Sequence, residues 1–467
     1  MNIGILKTSL FAFAATVVIT ANVLAQDVAS LDKTPTGKRA LSYFTAFNSG
    51  DDAKLTAFFA DSIDAEALKR RGVEPRVAFH KQVRGDFQKL EIKRIVAANE
   101  REINVLAQSP SGQWASVTFE IEGTAGKFAG VRVERIDPPA EISKTAAPST
   151  LAEVAPAVDK YLDGLTKAGD FSGTVLIAKD DKPVFSKAYG FADNEKKLAN
   201  KLDTRFNLGS INKMFTRIAI GQLVATGKLS FSDKLIKVLP DYPNKAAAEK
   251  ITIGQLVNMT SGIGDFFNEK FEAADKTKIR SQKDYLPFFV NEPLAFEPGT
   301  GKIYSNGGYL VLGLIVEKLS GKTYYDYVRE NIFKPAGMAS SDSYAMDELP
   351  ANTAVGYMSP ERGKHSPNTP MQPARGSSAG GGYSTADDML RFANALRAKK
   401  LVIPDDNGGF PAEFDAAGFA GGSPGVNAVF ATNGKTGYTI IVLSNFDPPS
   451  AEKPFSQIRD WLKQLQQ

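Results

Sequence analysis

The chain has 467 residues, 43% of them hydrophobic, which suits two or three globular domains of roughly 100–200 residues each. Lys plus Arg number 56 and Asp plus Glu 52, a net charge of +4 with no basic block, so a nucleic-acid partner is not expected. There is no cysteine, and the only histidines are His80 and His365. That excludes disulfides, thiolate metal sites and cysteine nucleophiles, and it leaves little from which to build a histidine-based metal centre or hydrolase. No metal and no organic cofactor is implied.

Residues 1–25 read MNIGILKTSLFAFAATVVITANVLA. One charge, Lys7, precedes an apolar run from Leu10 to Ile19, and Val23-Leu24-Ala25 follows. The run is short of the ~20 residues of a spanning helix. The pattern is that of a secretory signal peptide cleaved after Ala25, a membrane anchor being the alternative. The mature chain is then expected in the periplasm or outside the cell, without stable membrane insertion.

Residues 26–136 read as a small α+β domain. Leu41, Phe44, Phe47, Leu55 and Phe58 recur at helical spacing, interrupted at Ser49-Gly50. From residue 90 the pattern changes to alternation, in LEIKRIVAA, EINVLAQS, QWASVTFEIEG and FAGVRVERI, with turn residues between. This predicts an antiparallel meander. His80 lies on a predicted helix with Asp86 six residues on, and reads as a packing or surface histidine. Residues 137–150, DPPAEISKTAAPST, have a linker's composition.

Residues 151–467 form the second domain. A hairpin is predicted over 173–190, turning at Asp180-Asp181, and another over 425–445, turning at Asn433-Gly434. Mostly helical patterns lie between them, and a helix closes the chain. The expected architecture is one antiparallel sheet built from both ends of the domain, with a helical insertion and a cleft between the two.

In FNLGSINKMFTRIAIGQLVATGKLS, Ile211, Met214, Phe215, Ile218, Ala219 and Leu223 make an apolar helical face that Gly227 ends. Ser210 stands at the helix start, a capping position, and Lys213 lies one turn on, on the same face. A lysine kept neutral there can take the serine proton. The bland alternative is an ordinary capping serine beside a solvated lysine. Ser30-Lys33 and Ser450-Lys453 repeat the spacing without such a helix. Further on, Tyr304-Ser305-Asn306 precedes a helix apolar nearly all round, which sets Tyr304 and Asn306 on a rigid support. A phenol near an ammonium can lose its proton more readily and act as acid or base. Tyr242-Pro243-Asn244 lacks the helix and reads as a turn.

With these motifs the second domain resembles the β-lactamase-related serine hydrolases: class C β-lactamases, D,D-peptidases and related esterases. Matching stretches include FNLGSINKMFT, LVNMTSGIGD, FEPGTGKIYSNGGYLVLGLIVEKLSG, SSAGGGYSTADDMLRFANAL and GGSPGVNAVF. The resemblance implies Ser210 as acylated nucleophile, Lys213 and Tyr304 as proton carriers, and Asn306 as a substrate contact. The oxyanion would meet the Ser210 N–H and one edge-strand N–H, from Gly422. The first domain, on its FNSGD break and meander, resembles nuclear transport factor-like or SnoaL-like cone domains, which can hold a ligand or a catalytic Asp/His pair; here it reads as an accessory or docking module.

The third motif departs from the family's Lys-Thr-Gly or His-x-Gly. Lys435-Thr436-Gly437 reads as part of a hairpin turn, and the residues in register with Gly421-Gly422-Ser423-Pro424-Gly425 are Phe419-Ala420-Gly421. Phe419 stands where a donor to a substrate carboxylate would be, a bond worth about 1.5–3 kcal/mol. The expectation is therefore an exported esterase-like serine hydrolase acting on a small ester or amide, or a peptide, lacking that carboxylate. A β-lactamase or D,D-peptidase and a catalytically silent peptide- or cell-wall-binding relative are the alternatives. Oligomeric state is not readable. The stretch between Leu401 and Phe419 is short for the family, which predicts an open cleft. Gly376-Ser377-Ser378-Ala379-Gly380 matches a nucleophile elbow, but no histidine follows residue 365, so it reads as a turn lining the cleft. His365 reads as an exposed loop residue.

Overall fold

The computed structural model describes residues 28–98, 102–122, 126–136, 148–361, 364–401 and 418–465. The segment read as a signal peptide, most of the linker and the stretch after Leu401 lie outside them. The chain forms two compact units, residues 1–143 and 144–467. Among the described residues no helix is long and apolar enough to cross a membrane.

In the first unit α1 (Pro35–Asn48) starts on Thr34, whose hydroxyl accepts from Gly37 N, with Pro35 in its first turn. Gly50 breaks the helical run at φ +76°. Asp51 then caps α2 (Asp52–Ser62), followed by α3 (Ala65–Arg70) and α4 (Val73–Phe87). Strands β1 (Glu91–Ala98), β2 (Glu102–Gln108), β3 (Trp114–Glu122) and β4 (Lys127–Ile136) form an antiparallel meander in that order. Alternate residues, among them Ile103, Val105, Val117 and Phe119, face a core shared with Tyr43, Phe47, Leu55 and Phe59.

The second unit opens with α5 (Leu151–Lys167), β5 (Gly173–Lys179) and β6 (Lys182–Tyr189). The helical body contains α6 (Asn212–Ala225), α7 (Asn306–Ser320) and α8 (Ala386–Arg397). The chain then returns as β7 (Gly418–Ser423), β8 (Val426–Asn433), β9 (Tyr438–Ser444) and α9 (Glu452–Gln464). The sheet order is β7-β8-β9-β5-β6, so both ends of the unit supply strands and β7 is an edge. The two-residue strand period divides the sheet between two cores. Val175, Ile177, Val429, Ile440 and Val442 pack with α5 and α9, while Leu176, Phe430, Ile441 and Leu443 pack with Ile211, Met214, Phe215 and Ile218 of the helical body. The second hairpin turns over four residues, 434–437, rather than at Asn433-Gly434 alone. Asn433 Oδ1 accepts from Thr436 N, and Gly437 takes φ +70°.

Candidate active site

Ser210 sits on a single 3₁₀ turn, Gly209–Ile211, just ahead of α6. It is not the capping residue its position predicts: Ile211 is the N-cap, with helical backbone angles and no side-chain cap bond. The Ser210 hydroxyl instead meets side chains of the cleft. Gly209 has φ +52°, and a Cβ there would lie 3.0 Å from Gly422 N. At Gly421 a Cβ would meet Leu208 O at 2.0 Å and Ser210 N at 2.8 Å. The two glycines let edge strand β7 lie directly against the Ser210 turn.

Lys213, 6% exposed, lies one helical turn on. Its Nζ is 3.0 Å from Ser210 Oγ and 2.6 Å from Asn306 Oδ1, and it also bonds the Ala379 carbonyl. Burial pushes its pKa down to about 7, with Asp265 opposing the shift. The partner chemistry is informative. A neutral amine has two hydrogens and one lone pair. Asn306 Oδ1 and Ala379 O only accept, so they take both hydrogens and the lone pair is left for the Ser210 hydroxyl.

Asn306 cannot turn over without loss. Its Nδ2 donates to Asp265 Oδ2 at 2.6 Å, which holds Oδ1 towards the lysine. Ser305 caps α7 through Gly308 N at 2.9 Å, fixing where Asn306 begins the helix. Tyr304, 51% exposed, donates from its hydroxyl to Ser210 Oγ at 2.6 Å, and its ring lies 4.8 Å from the lysine nitrogen. Its pKa moves up, chiefly through desolvation, with the Ser210 bond opposing. The expectation of a readily deprotonated phenol is thus reversed. Burial favours the neutral amine of Lys213 and the protonated phenol of Tyr304.

Two parts of this arrangement escaped the sequence reading. Asp265 follows Ser261-Gly262-Ile263-Gly264, and an acid after two glycines was its available signal. The Ala379 carbonyl belongs to the glycine-rich loop, where Ser377 and Gly380 bond each other's backbone. Asn212 Nδ2 donates to Ser377 O and Thr216 Oγ1 to Ser378 O, docking the loop on α6. Ser378 is fully buried and bonds Gln282 and Tyr309 O, so the loop is a cleft wall and not an elbow.

Ser210, Asn306 and Gly422 line a cleft of about 580 Å³. Phe266, Phe267, Phe271, Tyr285 and Met371 form apolar walls. Phe419 is not part of the lining and packs, partly buried, against the helical-body core. Gly421 is likewise not among the residues that line the cleft and abuts Leu208 and Ser210. Lys276 is the lining ammonium, and it bonds three carbonyls, those of Phe271, Glu272 and Ala274.

The remaining candidates lie elsewhere. Lys435-Thr436-Gly437 is in the hairpin turn. Asn244 caps the helix Lys245–Lys250, and Ser450 bonds Ser444. His365 is in a short strand, Lys364–Pro367, half-buried and stacked on Phe446 at 4.4 Å, rather than in an exposed loop. His80 is buried in the first unit with Nδ1 2.8 Å from Tyr43 OH, and burial holds its pKa down at about 4.

A hydroxyl, an amine and a phenol meet at a cleft between an antiparallel sheet and a helical body, an arrangement in which an amine can activate a hydroxyl for acyl transfer. Residues 158–463 match the family model described as Beta-lactamase, and the chain belongs to that family. Its relatives are serine hydrolases acting on amide or ester bonds. Penicillin-binding protein 4* of Bacillus subtilis (strain 168) is 37% identical over 176 residues, 37% of this chain and 38% of that protein. The putative penicillin-binding protein PbpX of the same organism is 29% identical over 67% of this chain and 80% of its own length. The crystal structure of a penicillin binding protein from Bacillus halodurans superimposes with a TM-score of 0.57 at 33% identity, covering 64% of this chain and 99% of that one.

Proposed function

We propose that this chain is an exported serine hydrolase that forms an acyl-enzyme on Ser210 and prefers uncharged esters or amides. Lys213 carries the reading: it is buried, drawn down to about 7 and held by two pure acceptors, so its lone pair is directed at Ser210 Oγ. Ser210 attacks the carbonyl carbon as Lys213 takes the hydroxyl proton. The Ser210 and Gly422 N–H groups receive the developing oxyanion. The proton passes to the leaving group through Tyr304, whose hydroxyl already touches Ser210 Oγ. Water, activated by the same lysine, then releases the acid.

Two observations support an uncharged acyl group. The strand position for a carboxylate-reading cation holds Phe419, packed away from the cleft. Lys276 has its N–H groups directed to three carbonyls at the end of the helix Glu269–Ala273. The aromatic wall gives an apolar acyl chain a surface to cover. Likeness to penicillin-binding proteins favours a second reading, in which penicillins acylate Ser210 as well.

Labelling the mature protein with a fluorophosphonate and with a fluorescent penicillin separates the two. Fluorophosphonate labelling alone, abolished by Ser210→Ala, supports the esterase. Labelling by both supports penicillin recognition, and labelling by neither overturns both in favour of a silent binding protein. Export is tested by finding residue 26 at the N-terminus of protein secreted by a bacterial host.

A further inference from the structure

In the first unit a second cavity, about 240 Å³, opens between α4 and strands β3 and β4. Arg76 of α4 lines it and is only 9% exposed. Its Nε donates to Arg71 O at 3.0 Å and one terminal nitrogen to Ala67 O at 3.1 Å. No carboxylate pairs with it among the described residues. The other terminal nitrogen lies 3.8 Å from where a Cβ on Gly130, itself in the cavity wall, would stand. A guanidinium cannot shed its charge, and a buried charge is ordinarily paired. This one faces a cavity instead, with Arg71 adding a second cation at the rim.

We propose that this cavity is a binding site for the carboxylate of a small molecule, with Arg76 as its charge partner. The guanidinium fork matches a planar carboxylate. Phe79 and Val131 provide apolar wall for the guest's body. Arg132 is already bonded to Glu120, so the uncompensated charge is that of Arg76 and Arg71. The Glu120 carboxylate beside Gly130 repels a dianion more than a monoanion, which favours a carboxylate over phosphate. His80 in the wall bonds Tyr43 and stays neutral, adding no charge. The cavity is smaller than the ~300–1,000 Å³ of drug-sized ligand sites, so the guest is small. This site is independent of the Ser210 reading.

The experiment is calorimetric titration of the full chain with benzoate and, separately, with inorganic phosphate. Benzoate is expected to bind one-to-one with a Kd of about 1 mM or tighter. Arg76→Gln should weaken it by at least about tenfold, the loss of one charge-assisted pair. Because Arg76 also ties down two carbonyls, Gly130→Leu is the second variant. It fills the cavity without touching those bonds and should abolish binding while the melting temperature and the Ser210 chemistry hold. Ser210→Ala should bind benzoate as the wild type does. Absence of saturable binding, binding untouched by Gly130→Leu, or phosphate binding more tightly than benzoate would each overturn the proposal.

Discussion

Among the described residues, each unit buries a basic side chain beside a cavity, and the two behave differently. Lys213 is 6% exposed and Arg76 9%. Burial lowers both from their ordinary values, helped at Arg76 by Arg71 and Arg70. A lysine shifted to about 7 can be neutral at physiological pH. An arginine starts so high that the same environment leaves it charged. The difference teaches what each place is for. A buried lysine can store and return a proton, whereas a buried arginine can only attract an anion. The surroundings match: acceptors and a hydroxyl at Lys213, an open cavity at Arg76.

The strongest test of the lysine half is Ser210→Ala, expected to lower ester hydrolysis by about 10⁴-fold or more and to leave no acyl adduct by mass spectrometry. Lys213→Arg keeps the cation but removes the neutral amine, so kcat/KM should fall about 10³-fold. If it retains wild-type rates, the proton-transfer role of Lys213 is wrong. Tyr304→Phe removes a donor and not a base, and a loss of about 10–100-fold is expected, less for activated esters whose leaving group needs no proton.

The pH dependence sharpens the comparison. The base works only when deprotonated, so kcat/KM should rise with pH and reach half its plateau near 7. Benzoate binding at Arg76 should stay level across the same window. In Asp265→Asn the lysine loses the negative charge that favours its protonated form, so the acid limb moves to lower pH. The freed amide of Asn306 should cost up to about tenfold in kcat. A wild-type acid limb in that variant would refute the charge effect of Asp265 on the lysine, and an unchanged kcat would refute its positioning of Asn306. The smallest effect belongs to Gly130→Leu, which should leave ester hydrolysis within about twofold of the wild type.

Much of this was legible because helical and strand periods carry spatial information. The Ser210–Lys213 spacing put both groups on one face, and the all-apolar helix after Asn306 announced a rigid support. The alternation in residues 90–136 and at both ends of the second unit read directly as meander and sheet. What stayed hidden depends on burial and on backbone direction. Serine at a helix start is usually a cap, and nothing local reveals the 3₁₀ turn that redirects Ser210. That burial favours the neutral amine of Lys213 and the protonated phenol of Tyr304 alike depends on packing that distant segments supply. His365 looked like a loop residue because its partner, Phe446, is far along the chain.

The Ala379 carbonyl contributes to the lysine's surroundings through main-chain shape alone. Replacing side chains one at a time would therefore find two of the amine's three hydrogen-bond partners and miss the third. That third neighbour is encoded in the path of the loop, where Gly381 takes φ +91° and Gly376 leaves no room for a Cβ, its nearest neighbour being Gly381 O at 2.4 Å. Variation at these apparently featureless positions would retune the nucleophile without altering any group that performs chemistry.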